Sequence, residues 1–365
     1  MGRHLLLNVL RTIDYLIVGQ GLAGSLLGCM FELQGYEVII VDNTHRTAAS
    51  ISAAGIMNPI TGKRLNRPYL IDELLTAAFR VYPQVENLLG TPIFQRRTIL
   101  RLHQSEIEQR QWKMRLASRD YVKYIGQTDS IATGTFSHSV NGFEITRAGH
   151  LDVPHFIKTV RDRFFTTARL IETEFDYSEI QILDQGAKWR DYSAKGIIFC
   201  EGYQMSRNPF FNAIELNPAK GEILNLHAPE FFEERIIQHG KWLFRTQSGD
   251  VKAGTTYSWD RLDETPTETG RQQIEDALRN FTNISFEVIG HTAGVRPVIR
   301  ADNRPVIGRH PQYRSLAILN GFGSKGVLQA PFSAEQLIAH LEKRKPIHPD
   351  FNICRNSLWP QPMTV

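Results

Sequence analysis

The stretch 13–42 constrains the fold more than any other part of the chain. It opens with an apolar run, residues 15–18, that has no helical period and is typical of a strand buried on both faces. Residues 22–33 are apolar on more than one face, and a glycine soon follows, as expected for a buried helix with a glycine C-cap. A second strand is expected at 37–41. The order of strand, turn, helix and strand predicts a β-α-β unit of a parallel sheet.

Three glycines in the turn of this unit, Gly19, Gly21 and Gly24, have the spacing used by dinucleotide-binding turns. The first lets the chain turn sharply, the second lets the backbone approach a pyrophosphate, and the third lets the helix pack on the strand. Asp42, after the second strand, is placed to accept hydrogen bonds from an adenosine ribose. A bare GxGxxG would occur by chance in about one chain in ten of this length. With the strand, helix and acid around it, the pattern favours dinucleotide binding over a plain glycine-rich turn.

The composition is that of an ordinary globular protein, with 42% hydrophobic and 22% charged residues and a net charge of +4. That charge suits an anionic cofactor or substrate but does not establish nucleic-acid binding. Three widely spaced cysteines, Cys29, Cys200 and Cys354, exclude a disulfide framework and favour a reducing compartment. No metal-ligand spacing is found, and no apolar stretch approaches the roughly eighteen residues of a membrane span. We therefore expect a cytoplasmic protein with neither a membrane span nor a metal site.

A second glycine-rich segment, 290–326, ends in the turn GFGSKG at 321–326. A buried strand is expected before this turn at 315–320, and a helix beginning at Pro331 is expected after it. This repeats the strand, glycine turn and helix of the N-terminus without the GxGxxG spacing. We expect it to serve another part of the same cofactor; a tight structural turn before a C-terminal helix is the alternative.

Arg296 lies in the sequence GVRP, where Pro297 favours an extended backbone at the arginine. A fixed guanidinium near a cofactor is a common means of holding a carboxylate in a bidentate grip. A structural ion pair is the competing interpretation.

The remaining chain predicts two interleaved domains in an α/β protein, α+β overall. A helix at 153–165, a strand at 169–175 and a strand ending at Gly202 continue the doubly wound sheet. Short strands between polar turns over 216–290 predict an antiparallel sheet. Further predicted elements are helices at 69–90, 107–116 and 269–281 and a strand at 95–103. We assign residues 1–62, 140–212 and 290–365 to the cofactor domain, and residues 63–139 and 213–289 to the substrate domain.

These motifs together resemble the family of flavin-dependent amine and D-amino-acid oxidases, which includes glycine oxidase and sarcosine oxidase. The resemblance covers nearly the whole chain: VGQGLAG with Asp42, SAAGIMNP at 52–59, KGIIFCEG at 195–202, GTTY at 254–257, AGVRP with DNRPVIG, and NGFGSKGVLQAP at 320–331. The GFGSKG turn, the Asn-Pro after AAGIM, Lys63 and Arg64, and the tail at 346–359 are similar to the oxidase domain of bifunctional enzymes that finish 5-methylaminomethyl-2-thiouridine in tRNA.

The resemblance implies an FAD-binding Rossmann domain with an interleaved antiparallel substrate domain. It implies that the ADP half of FAD is held by Gly19, Gly21, Leu22, Ala23, Gly24, Asp42 and Asn43, with Phe175 contacting the adenine through its backbone. It further implies flavin contacts from Ala53, Ala54, Gly55, Ile56, Cys200, Glu201, Gly202, Gly321, Phe322, Gly323, Ser324, Lys325, Gly326 and Val327. Arg296 would bind a substrate carboxylate, Lys325 would stabilise reduced flavin or assist oxygen reduction, and Tyr257 would offer a hydroxyl to the substrate.

The function expected from this set is FAD-dependent oxidation of the C–N bond of a small carboxylated amine, such as glycine, sarcosine or a D-amino acid. Hydride would pass to flavin N5 and oxygen would reoxidise the flavin. The sequence contains no GxSxG, P-loop or HExxH motif, and His150, His155 and His291 are interpreted as packing or surface residues.

Three alternatives remain at this point. The first is oxidation of a carboxymethylaminomethyl group on tRNA, steered by Lys63, Arg64, Arg67 and the basic residues between 96 and 119. The second is a dehydrogenase with a non-oxygen acceptor, and the third is an FAD-binding module without turnover. A solvated surface is the simpler interpretation of the basic residues. The oligomeric state and covalent attachment of FAD stay undetermined by sequence.

Overall fold

The computed structural model describes residues 10–44, 48–62, 64–116, 118–130, 136, 142–355 and 358. The N-terminal segment before residue 10 and Lys63 lie outside these ranges. The helices are α1 Leu22–Leu33, α2 Ile71–Leu89, α3 Glu106–Leu116, α4 Arg119–Val122, α5 Val153–Thr166, α6 Glu268–Phe281 and α7 Gly326–Lys343. Short 3₁₀ turns lie at Ala49–Ser52, Tyr177–Glu179 and Gly202–Arg207.

The strands fall into three sheets. The first sheet contains β1 Arg11–Val18, β2 Val38–Asp42, β9 Leu170–Glu172, β10 Ile180–Ile182, β11 Ala187–Trp189, β12 Tyr192–Phe199, β18 Val306–Arg309 and β19 Leu316–Asn320. The second contains β5 Ile99–Leu102, β6 Ile125–Ser130, β7 Gly142–Ile145, β13 Ala219–His227, β14 Ile236–His239, β15 Lys241–Arg245, β16 Val251–Gly254 and β17 Glu287–Arg296. The third contains β3 Ile56–Met57, β4 Phe94–Arg96 and β8 Gly149–Leu151.

The first sheet has a parallel centre in the order β9-β2-β1-β12-β19. Its three central strands end at the same level, because Val18 pairs with both Val41 and Phe199. Strand β18 adds antiparallel to β19, and the β10-β11 hairpin adds antiparallel to the start of β12. In an open α/β sheet, ligands bind at the carboxyl ends of the strands, so this common edge is where a cofactor is expected.

Apolar side chains cover both faces of the first sheet. On one face Tyr15, Ile17 and Ile40 pack with α1, α5 and α7 in a continuous core. On the other face Leu16 and Phe199 pack with residues of the β10-β11 hairpin and of the segment 205–216. This double burial explains why β1 and β2 are apolar without alternation.

The second sheet has the strand order β17-β13-β16-β15-β14-β5-β7-β6. Its described pairs are antiparallel except for the parallel pair of β14 with β5. Helix α6 packs on one face through Ile274, Leu278 and Phe281. The other face is turned towards the carboxyl ends of the first sheet, as the cavity described below requires.

The α/β class expected from the sequence is confirmed: a sheet with a parallel centre, covered on both faces, is joined to a largely antiparallel sheet. The start of the last helix is wrong: α7 begins at Gly326, so Pro331 lies inside it. A proline inside a helix cannot donate to the carbonyl four residues earlier. Here that carbonyl belongs to Val327, and it accepts instead from the hydroxyl of the buried Tyr82 at 2.6 Å.

One other element differs from expectation: the single strand expected at 95–103 is divided into β4 and β5 in different sheets. The helix expected at 69–90 is confirmed as α2, which continues through Pro83 to Leu89. The domain limits stay a prediction. Strand β7 belongs to the second sheet although it lies within 140–212, and β17 crosses residue 290.

Candidate active site

One large cavity, of about 850 Å³, lies between the carboxyl ends of the first sheet and the face of the second sheet. This is within the usual range for a small-molecule or cofactor site. Nearly all of the site residues expected from the sequence line it: Gly19, Gly21, Leu22, Ala23, Asp42, Asn43, Ala53, Ala54, Gly55, Ile56, Phe175, Cys200, Glu201, Gly202, Tyr257, Arg296, Phe322, Gly323, Ser324, Lys325, Gly326 and Val327. The two glycine turns, remote in sequence, therefore face the same space.

Gly24 and Gly321 are expected site residues that do not line the cavity. A Cβ on Gly24 would lie 1.9 Å from the carbonyl oxygen of Gly19, so only glycine lets α1 pack this closely on the turn. A Cβ on Gly321 would lie 2.6 Å from the side chain of Ile299. Both glycines support the shape of the site from behind.

The N-terminus of α1 opens into the cavity. Its N-cap residue, Gly21, has no side chain to cap the helix, and the next N–H, of Leu22, donates to Ser50 Oγ at 3.0 Å. Helix N-termini attract anions because N–H groups and the helix dipole both point outwards. This end of the cavity thus fits the pyrophosphate of a dinucleotide. Ser50 lies in the small-residue loop 48–55, and the sequence analysis did not identify Ser50 as a site residue.

Asp42 is buried and held in place from two sides. Its Oδ2 accepts from the backbone N–H of Gln20 at 2.9 Å, and its Oδ1 accepts from Arg161 at 3.1 Å. Arg161 also bonds the side chains of Gln20 and Glu172. These contacts fix the carboxylate at the carboxyl end of β2, where a ribose would lie. The role of Arg161 was not predicted, because it depends on how α5 packs on the turn.

Glu201 follows β12 and lines the cavity. Tyr177 donates to its Oε1 at 2.6 Å and Asn208 donates to its Oε2 at 2.7 Å. Burial raises the pKa of this carboxyl to about 7, against the lowering effect of the two donors. The carboxyl is therefore partly protonated near neutral pH.

The second glycine turn is tied to the strand that carries Arg296. The backbone N–H of Gly323 donates to the carbonyl of Pro297 at 2.9 Å, and Val298 forms a bridge with Phe322. Lys325 is the N-cap of α7 and provides no side-chain cap. The first residues of α7, Gly326 and Val327, line the cavity, so this helix N-terminus would stabilise partial negative charge there.

Arg296 is the last residue of β17, and its side chain enters the cavity across Gly221. A Cβ on Gly221 would lie 1.7 Å from Nη2 of the arginine, so glycine is required for this position of the guanidinium. Nη2 donates to Thr255 Oγ1 at 2.8 Å, and the guanidinium lies 4.3 Å from the ring centroid of Tyr257. Burial lowers the pKa of Arg296 from its ordinary value.

No carboxylate among the residues that the structure describes forms an ion pair with Arg296. Its guanidinium contacts Thr255 Oγ1, the Thr256 carbonyl and the Tyr257 ring. A buried cation without a counter-ion is costly unless a ligand supplies the charge. This geometry fits a carboxylate ligand better than the structural ion pair considered from the sequence.

The aromatic pair Tyr257 and Trp259 lies near the mouth of the cavity. Tyr257 is 51% exposed and Trp259 is 56% exposed, with ring centroids 6.3 Å apart. Tyr257 thus contacts Arg296 with its ring face and lines the cavity beside it. This is consistent with the substrate-side position expected for its hydroxyl.

Lys241, at the start of β15, is a second cation of the cavity that the sequence did not identify. Its Nζ donates to the carbonyl of Thr255 at 2.7 Å. Burial and the charge of Arg296 lower the pKa of Lys241. Only the pairing of β15 with β16 brings it to this residue, so no local sequence pattern could have marked it.

The three histidines mentioned above do not line the cavity. His150 packs against Phe244, and burial lowers its pKa to about 4, so it is neutral at physiological pH. In the described part of the chain, no group of three or more His, Cys, Asp or Glu side chains is arranged to hold a metal ion. The helices within the described ranges are each too short or too polar to cross a bilayer.

Curated proteins with similar sequences include a bifunctional protein of tRNA modification and a glycine oxidase. The bifunctional protein MnmC of tRNA 5-methylaminomethyl-2-thiouridine biosynthesis from Marinobacter nauticus is 24% identical over 358 residues, which is 89% of this chain and 55% of that protein. Glycine oxidase from Pseudomonas aeruginosa is 26% identical over 133 residues, 36% of each chain. The chain therefore spans about half or less of the length of these relatives.

Solved structures with the same fold include glycine oxidase from Geobacillus kaustophilus, with a TM-score of 0.76 and 19% identity over 96% of this chain and 99% of that one. Iminodiacetate oxidase from Chelativorans sp. gives a TM-score of 0.74 and 20% identity over 96% of this chain and 100% of that one. The family model of DAO, FAD dependent oxidoreductase, matches residues 14–341. With a cavity whose two uncapped helix N-termini and glycine turns fit a dinucleotide, the chain belongs to the DAO family of FAD-dependent oxidoreductases.

Proposed function

We propose that this oxidoreductase oxidises the C–N bond of a small carboxylated amine, with Arg296 binding the carboxylate. The observation that carries the proposal is a half-buried guanidinium that has no carboxylate partner among the described residues, in the cavity that both glycine turns line. Two similar proteins, glycine oxidase and iminodiacetate oxidase, are named for substrates of this chemistry, which supports the proposal. Bound FAD would supply the electron acceptor.

The residues of the chain bind and orient the substrate. Arg296 would hold the carboxylate with two parallel N–H donors, and its contact with Thr255 and the Tyr257 ring keeps those donors in one position. A substrate held in this way has less orientational entropy to lose before it reaches a reactive geometry. We propose that Tyr257 contributes a hydroxyl at the substrate and that Lys325 contributes positive charge at the N-terminus of α7.

The test is anaerobic addition of amines to the purified holoenzyme. Glycine, sarcosine, proline, D-alanine, iminodiacetate and a carboxymethylaminomethyl uridine nucleoside are added separately, and the visible absorption of the flavin is recorded. Loss of that absorption with a carboxylated amine supports the proposal. If none of the amines changes the spectrum, the chain is an FAD-binding module and the proposal is wrong.

Substitution of the arginine tests its role. Arg296→Met removes at least one charge-assisted hydrogen bond and should raise KM for the carboxylated amine on the order of a hundredfold. Amines without a carboxylate should be affected much less. An unchanged KM for the carboxylated substrate would show that Arg296 does not bind the carboxylate.

The amount of peroxide formed per amine consumed separates an oxidase from a dehydrogenase with another electron acceptor.

Oxidation of a carboxymethylaminomethyl group on tRNA is the second candidate. It is favoured by the similarity to MnmC along 89% of the chain and by the exposed pair Tyr257 and Trp259, which could stack on a base. The basic residues give less support. Arg101 pairs with Glu108, Arg67 pairs with Asp120, and Arg97 donates to two backbone carbonyls.

Binding of tRNA decides between the two candidates. Filter binding over a range of salt concentrations should give weak affinity with a shallow salt slope if the small amine is the substrate. Tight binding with a steep slope, together with flavin reduction by modified tRNA, would favour the second candidate.

A further inference from the structure

Two cations, Arg296 and Lys241, lie on either side of Thr255 in the substrate end of the cavity. The arginine donates to the Thr255 hydroxyl at 2.8 Å and the lysine donates to the Thr255 carbonyl at 2.7 Å. Both side chains line the cavity. The two charges are therefore held by one residue, and burial together with the charge of Arg296 lowers the pKa of Lys241.

The acidic residues that line the cavity are at its other end. Asp42, Glu174 and Glu201 follow strands β2, β9 and β12 of the first sheet, and Asp42 and Glu201 have partners there. Glu222 is next to Gly221 on β13 but turns away from the cavity, where it accepts from the N–H and hydroxyl of Thr267. Among the described residues, no carboxylate forms an ion pair with Lys241, whose ammonium donates to the Thr255 carbonyl.

The phosphates of the cofactor do not explain Lys241. The site that fits them is the N-terminus of α1 beside Gly21, on the first sheet. Lys241 is on β15 of the second sheet, with Arg296. An ammonium half-buried beside a guanidinium is unfavourable unless a ligand brings negative charge. One carboxylate on Arg296 would leave one positive charge of the pair uncompensated.

We propose that Lys241 binds a second carboxylate, so that the substrate is an amine carrying two carboxylates, one on each cation. This inference rests on the function proposed above and narrows its substrate class. With both carboxylates bound and the amine unprotonated, the net charge of the two cations and the ligand is zero. A substrate with one carboxylate would bind through Arg296 alone and more weakly.

The test measures binding of unreactive acids to the holoenzyme by calorimetry. Butyrate is compared with succinate, and pentanoate with glutarate, so that each pair differs by one carboxylate. The wild type should bind the dicarboxylates at least about tenfold more tightly, as expected for a further charge-assisted hydrogen bond. Lys241→Met should abolish this preference, so that each dicarboxylate binds no more tightly than the monocarboxylate it is paired with. Arg296→Met should weaken both classes.

The controls separate a lost charge from a damaged fold. Lys241→Arg keeps the charge and should keep most of the preference, whereas Lys241→Gln keeps a donor for the Thr255 carbonyl and should lose it. Lys252→Met removes another half-buried lysine from the adjacent strand β16, outside the cavity lining, and should retain the preference.

Three results have distinct meanings. Dicarboxylates that bind no more tightly than monocarboxylates in the wild type would overturn the inference and leave the proposed function intact. A preference that persists in Lys241→Met would also overturn it. If neither class binds and no carboxylated amine reduces the flavin, the proposed function fails as well.

Discussion

The position of Arg296 depends on what is missing from a neighbouring residue. Its guanidinium occupies the place of a side chain at Gly221, on the paired strand β13. The arginine is half-buried, it donates to the Thr255 hydroxyl, and it lies over the Tyr257 ring. These contacts limit its movement. Substrate affinity should therefore respond to changes that never touch a substrate.

Gly221→Ala tests this dependence. The new methyl group would lie 1.7 Å from Nη2 of Arg296, and the flexible arginine should move rather than the strand. We expect KM for a carboxylated amine to rise about tenfold or more, with thermal stability nearly unchanged. Gly290→Ala, on β17 and outside the cavity lining, is the control. Equal kinetics in the two variants would contradict the prediction.

Glu201 should make stability depend on pH. Burial raises its pKa from 4.5 to about 7, so the folded state keeps a proton that the unfolded state has lost. Between these values the unfolded state binds fewer protons, and stability falls as pH rises. The loss should be complete above about pH 7 and reach about 3 kcal/mol at most.

Glu201→Gln removes this titration. The variant should gain stability relative to the wild type as pH rises through the window from 4.5 to about 7, and the difference should stay constant above it. Urea unfolding at several pH values measures this directly. The exposed Glu230→Gln serves as control, because it should shift the profile little. A difference that does not change with pH would refute the assignment.

At the level of elements, α7 depends on a side chain from α2. Tyr82 is fully buried, and its hydroxyl satisfies the Val327 carbonyl that Pro331 cannot serve. The first turn of α7 lines the cavity, so this bond also supports the flavin end of the site.

Tyr82→Phe should leave that carbonyl without a donor and cost about 1–3 kcal/mol of unfolding free energy. FAD affinity should fall as well, because the first turn of α7 becomes less ordered. Denaturant unfolding and the fraction of bound flavin measure the two effects. Tyr313→Phe removes a phenol hydroxyl from a residue that is 39% exposed and should change neither quantity. Full retention of both in Tyr82→Phe would show that the bond is dispensable.

Local patterns predicted the elements that local interactions determine. The run at 15–18, the three glycines and Asp42 are close in sequence, so the β-α-β unit could be recognised without its surroundings. The predicted start of the last helix at Pro331 was wrong because Tyr82, which donates in place of the proline, is remote in sequence. The single strand predicted at 95–103 was wrong because this continuous strand-like pattern contributes to two sheets. Only tertiary packing divides the segment into β4 and β5.

The candidate site shows the same limit. Arg296 was found because the adjacent Pro297 and the glycines around it form a recognisable local pattern. Lys241 and Gly221 were missed, since each reaches the cavity only through the pairing of β13, β15 and β16. Cross-strand neighbours are a property of register, which no short segment contains.

For the molecule as a whole, the cavity between the two sheets is both the site and a large gap in the packing. Residues of the first sheet, the small-residue loop and the second sheet surround it. A ligand that binds only the folded state and fills this space must stabilise the complete structure.

Removal of FAD should therefore lower the melting temperature of the entire chain in one transition. At a free FAD concentration of about one hundred times Kd the stabilisation is about 2.7 kcal/mol. Differential scanning calorimetry of holoenzyme and apoprotein measures the shift, and added FAD should restore it. AMP, which can fill only the α1 end, should restore only part. Two separate transitions, with one insensitive to FAD, would contradict this coupling.

The hydrogen bond from Gly323 to the Pro297 carbonyl joins the turn that begins α7 to the residue after Arg296. The anchor for the carboxylate and the wall against which a flavin ring would rest are thus separated by a fixed span of backbone. This fixed distance would select substrates by the separation of their carboxylate from their oxidisable carbon. An amine whose oxidisable carbon is bonded directly to its carboxylate would place that carbon at the ring edge. In a homologue longer by one methylene, the carbon next to the carboxylate would lie at the ring edge, and the carbon that bears the amine would not.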